Sequence, residues 1–209
     1  MSKVFKQLQL EIKNMLSPLD FHQKGNLYTK TTETAITVIQ LARYGRANDP
    51  NIKRVSVYIG KTFVKLQKLH NHHPYLKHVE AISGHYVKMI TPSDPSYTSW
   101  YDYEEDGQIG RHFDQILKDI MKSIESVNHL ETEFDFEKYI LSAKPTGHSN
   151  FGNEFTLAEI YLVTDRISKA QEMLVEWKKK KGSDPANLDR IEIIESALAR
   201  FQNRFKCLS

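Results

Sequence analysis

Alternation with a period of two dominates the stretch from Ala35 to Gly60. In its first arm Ile36 and Val38 alternate with Ala35, Thr37, Ile39 and Leu41, so both faces carry apolar side chains. In its second arm Val55, Val57 and Ile59 alternate with Arg54, Ser56 and Tyr58. β-Branched residues are enriched in both arms, and the pattern predicts two strands. Between them, Tyr44-Gly45-Arg46-Ala47-Asn48-Asp49-Pro50-Asn51 supplies the residues that turns use. The pair reads as an antiparallel hairpin at the centre of a sheet.

Ahead of it, Val4, Phe5, Leu8, Ile12, Met15 and Leu16 share one helical face opposite Lys3, Lys6, Glu11, Lys13 and Asn14. Pro18 ends that helix. Residues Leu19 to Asn26 read as a turn, Leu27 to Lys30 as a short strand and Thr31 to Thr34 as a polar turn into the hairpin. After Gly60, Phe63, Leu66 and Leu69 fit either a continuing strand or a helical turn, and Asn71-His72-His73-Pro74 reads as a loop. Gly84 to Ile90 alternates again, Thr91 to Ser96 is a proline-bearing loop, and Tyr97 to Tyr103 reads as an edge strand. The cleanest helical stripe is Ile109, Phe113, Ile116, Leu117, Ile120, Met121, Ile124 and Val127, which must lie on the sheet. Phe134, Phe136, Tyr139, Ile140 and Leu141 predict one more short helix.

Ser142 to Asn153 reads as a linker, and the chain beyond it as helix throughout. Thr156 with Glu159 fits a capping box, and Asp184 before Pro185 fits a helix start. Leu188, Ile191, Ile194, Ala197, Leu198, Phe201 and Phe205 stripe a final helix. The expected fold is α+β: an antiparallel sheet packed against helices over residues 1–142, then a helical hairpin plus a C-terminal helix over 154–209.

Composition narrows the class. At 209 residues, 40% hydrophobic and 26% charged, the chain suits a globular protein with a sizeable core. No apolar run approaches the ~20 residues of a membrane helix, so no membrane partner is expected. Met1 to Lys6 lacks the apolar core of a signal peptide, and the single Cys207 suits a reducing compartment. A cytoplasmic location is therefore expected. A net charge of +3 is too small at this length to argue for nucleic acid.

Leu19-Asp20-Phe21-His22-Gln23-Lys24-Gly25-Asn26-Leu27-Tyr28 resembles the "GF-x-K-K-G-x-x-F/Y" opening of a bacterial family called domain of unknown function 4304. Val38-Ile39-Gln40-Leu41 matches that family's first strand, and Ser56-Val57-Tyr58-Ile59-Gly60 stands for its "N-L-G" strand. Ser99-Trp100-Tyr101-Asp102-Tyr103 stands for its Trp-rich segment before a long helix. Asp20 occupies the place of the family's Gly, and Tyr58 that of its common Asn. The resemblance covers about residues 1–140 and implies no activity. Leu157, Ala158, Tyr161, Ala170 and Leu174 resemble the packing positions of a single tetratricopeptide-type hairpin, with Trp177 at a usually small position.

Candidate chemistry is sparse. His70, His72, His73, His78 and His85 cluster with Glu80, but no paired metal-ligand spacing such as H-E-x-x-H occurs, and exposed imidazoles on a loop fit equally well. No nucleophile motif or phosphate loop is present, so no catalytic residue, metal or cofactor is named. Lys178 to Lys181 complements a helix C-terminus. Asp102, Glu104, Glu105 and Asp106 form an acidic run beside Trp100, Tyr101 and Tyr103. Aromatics of this kind anchor interfaces, and charge steers a partner towards them. Trp100, Tyr101, Asp102, Tyr103, Glu104 and Glu105 are thus the candidate binding residues. The expected function is a non-enzymatic protein-interaction protein, of an immunity or regulatory kind, binding through the sheet edge or helical hairpin. The alternative is an enzyme or nucleic-acid factor using His70–His85.

Overall fold

The computed structural model describes residues 3–46, 49–71, 86–90, 101–104, 110–142, 150–181, 191–192 and 194–199. The fold is α+β. Its contacts divide the chain into two compact units: residues 1–62 with 80–129, and residues 63–79 with 130–209.

The first unit opens with α1 (Lys3–Leu16), which buries Val4, Phe5, Leu8, Ile12 and Leu16 on its predicted face. Burying each is worth roughly 1.5–3 kcal/mol. A 3-10 turn, Ser17–Leu19, carries Pro18 and ends at Asp20 with φ +64°. That left-handed conformation suits Gly best and is tolerated by Asp.

Strands β1 (His22–Lys24) and β2 (Leu27–Thr31) follow as a hairpin, with Lys24 opposite Leu27. The expected turn over Leu19–Asn26 thus holds a strand. Gly25, at φ +61°, takes the first of the two turn positions, where Gly permits the tight connection. Gln9 Nε2 donates to Asn26 Oδ1 at 2.7 Å and to Gly25 O at 3.2 Å, and Tyr28 Oη donates to Gln9 O at 2.9 Å. These bonds hold the hairpin onto α1. Burial raises the Tyr28 hydroxyl pKa well above the tyrosine norm.

β3 (Ala35–Arg46) pairs antiparallel with β2, Tyr28 opposite Ile39, and β4 (Asp49–Phe63) is its other neighbour. The connection is therefore shorter than expected: Tyr44 to Arg46 and Asp49 to Asn51 are strand. β5 (Tyr86–Ile90) pairs with the C-terminal half of β4, Val57 opposite Ile90. β6 (Tyr101–Glu104) pairs with the N-terminal half, Val55 opposite Tyr101. Among the described residues the sheet has six strands, in the order β1-β2-β3-β4-β5 with β6 also on β4.

α3 (Gly110–Asn128) buries Phe113, Ile116, Ile120, Ile124 and Val127. It lies on the face of β4 that carries Val55, Val57 and Ile59, as two polar contacts show. Tyr101 Oη donates to Asp119 Oδ2 at 2.8 Å, and the buried Lys61 Nζ donates to Val127 O at 3.0 Å. The ammonium thereby meets the negative end of the helix.

The second unit contains α2 (Val64–Asn71), α4 (Glu133–Ser142), α5 (Asn150–Val163), α6 (Ile167–Lys181) and helical residues at 191–192 and 194–199. Phe63 and Leu66 resolve as a strand end and a helix. The division by contacts falls after Thr62 and His129 rather than within 142–153, because α2 and α4 pack on α5. Residues 143–149 of the expected linker lie outside the described residues, and Asn150 to Asn153 are helical.

The expected capping box also moves. α5 starts six residues before Thr156, so Thr156 and Glu159 are interior helical residues, both buried. The box forms instead at α4, where Thr132 Oγ1 accepts from Asp135 N at 3.2 Å and Asp135 Oδ2 accepts from Thr132 N at 3.0 Å. Leu157, Ala158, Tyr161, Ala170, Leu174 and Trp177 are all buried. Asp184, Pro185, Leu188, Phe201 and Phe205 lie outside the described residues.

Candidate functional site

Strand alternation decides what β6 offers. Tyr101 faces α3 and is 1% exposed, and Tyr103, two residues on, is 7% exposed. Neither ring is available as a surface anchor in this fold, which corrects the expectation for both. Burial, and then the Asp119 carboxylate beside it, raises the Tyr101 hydroxyl pKa far above the tyrosine norm. Gln115 Nε2 also donates to Asp119, at 3.0 Å.

Asp102 points to the other face. It pairs with Arg54 directly across the strands, Nε to Oδ1 at 2.9 Å, with the side chains 31% and 34% exposed. A pair this open contributes about 0–1 kcal/mol. Tyr44 is bonded to Tyr58, which raises the Tyr44 hydroxyl pKa. Glu104 ends β6, whereas Trp100 and Glu105 lie outside the described residues. The six expected residues therefore form no common surface among those described.

The β1 edge is poorly suited to adding a partner strand. The pair flanking a two-residue turn is hydrogen-bonded, so Lys24 and His22 turn their backbone groups towards β2 and Gln23 turns its own outwards. On either side of Gln23, Phe21 N donates to Leu16 O, while Gly25 O accepts from the Gln9 and Gln23 side chains. The edge is short and largely blunted.

A different surface stands out on α4. Phe136 and Ile140 bury one side of the helix, with Phe136 5.7 Å from Phe63 between ring centres. Phe134 lies about 200° round the helix from Phe136 and shares a face with Leu141, seven residues on. Phe134, Tyr139 and Leu141 are 52%, 39% and 64% exposed. Phe134 and Leu141 thus share an exposed side of this ten-residue helix, while Tyr139, about 140° round from Phe134, stacks on Phe136 with ring centres 6.1 Å apart.

That helix is held by charge as well as by packing. α5 ends in a Schellman motif: Asp165 adopts φ +58°, Arg166 N donates to Tyr161 O at 2.8 Å and Asp165 N to Leu162 O at 3.4 Å. This turn delivers the Arg166 guanidinium to α4. Its Nη1 and Nη2 donate to Glu137 Oε1 and Oε2 at 2.8 and 2.7 Å, and its Nε to Thr164 Oγ1 at 2.9 Å. The same guanidinium lies 4.5 Å from the Tyr161 ring and 5.1 Å from the Phe134 ring. The hydrogen bonds from Arg166 hold the Glu137 carboxyl below its usual pKa and raise that of Arg166. The Thr132 hydroxyl lowers Asp135 in the same way. An arginine committed to a fork and two rings acts as a structural fastening.

The histidine cluster contributes little to the described structure. His70 lies in α2, while His72, His73, His78 and His85 lie outside the described residues. Among the described residues no group of three or more His, Cys, Asp or Glu side chains could hold a metal ion. No helix among them is long and apolar enough to cross a membrane.

The five apolar residues of α4 predict the helix, but not by themselves which of them face solvent. Their spread over opposite sides of the helix was the available signal. No family model, curated protein or solved structure matches the chain.

Proposed function

We propose that this chain is a non-enzymatic, cytoplasmic protein-interaction protein of an immunity or regulatory kind, and that α4 is the surface it offers to its protein partner. One observation carries the reading: Phe134, Tyr139 and Leu141 are exposed on a helix fixed in place by the Glu137–Arg166 fork. Phe134 and Leu141 share one face of that helix, exposed apolar side chains gathered on one element suit an interaction surface, and a surface held rigid beforehand loses less entropy on binding. On β6, the partly exposed Asp102 offers charge rather than anchorage. The resemblance to domain of unknown function 4304 belongs to the same proposal, supported by the left-handed backbone at Asp20.

The test is Leu141→Lys. Leu141 is the most exposed of the three, and a cation near a helix C-terminus suits the helix dipole. Stability should change by no more than about 0.5 kcal/mol, while affinity for a purified partner should fall about tenfold or more. Unchanged affinity would remove α4 from the interface.

A further inference from the structure

We draw no further inference here: the strongest candidate, the sheet face turned away from α1 and α3, where Ser56 Oγ and Gln40 Oε1 are buried with no hydrogen-bond partner, carries no ligand because nothing among the described residues shows what covers it.

Discussion

Two aspartates hold backbone conformations that most side chains avoid. Asp20 and Asp165 have φ of +64° and +58°, and each ends a helical segment. At Asp165, replacement by Ala should cost up to about 1 kcal/mol, since Ala keeps the Cβ that the left-handed region penalises and loses the short polar side chain that offsets the penalty. Asp165→Gly should match or exceed the wild-type melting temperature. Equal losses for both variants would place the contribution in the carboxylate instead.

Glu137 gives a second residue-scale prediction, with a pH sign. Its folded pKa is depressed, so its contribution is complete above the ordinary glutamate pKa of about 4.3 and is lost as pH falls through that range and below. Glu137→Gln should lose about 1.5–3 kcal/mol at neutral pH. Wild type and variant should converge as urea unfolding is repeated at progressively lower pH. A gap that stays constant with pH would mean that the carboxylate charge is not what Arg166 recognises.

Among the elements, α3 was the most legible, because its apolar side chains repeat at helical spacing and Phe113, Ile116, Ile120, Ile124 and Val127 are all buried. β1 was illegible for the opposite reason. His22, Gln23 and Lys24 are all exposed, so no alternation betrays the strand, which depends on Gly25 and on bonds from Gln9. The α4 cap has a weak sequence signal because Thr132 pairs with Asp135 where the familiar box has Glu or Gln. Thr156 and Glu159 had the right spacing but lie inside a helix that starts earlier. Tyr101 and Tyr103 looked like surface aromatics because acids follow them. Alternation turns them inward and leaves Asp102 outside. The inward placement makes its own prediction. Tyr101→Phe keeps the ring and removes one donor to the buried Asp119, so it should cost about 1–3 kcal/mol in denaturant unfolding with an unchanged slope. A neutral substitution would show that Asp119 does not depend on this hydroxyl.

At the scale of the whole molecule, the sequence pattern yields the fold class because period two and period 3.6 segregate along the chain. It does not yield the division into units. Phe63 ends a strand of the sheet, yet it packs with Phe136 and belongs with the helices of the second unit. That contact joins residues far apart in sequence, and no local periodicity encodes it. The candidate site follows the same logic: α4 was predicted as a helix, but which of its apolar residues face solvent depends on α5 and on Arg166.

The most direct test of the interaction reading is site-specific photocrosslinking in native extract. A photoreactive residue at position 141 should give one discrete protein adduct, and that adduct should weaken when Phe134→Ser is added. The same probe at Glu125, an exposed position on α3, should give none. Equal adducts at both positions, or none at 141, would contradict the account.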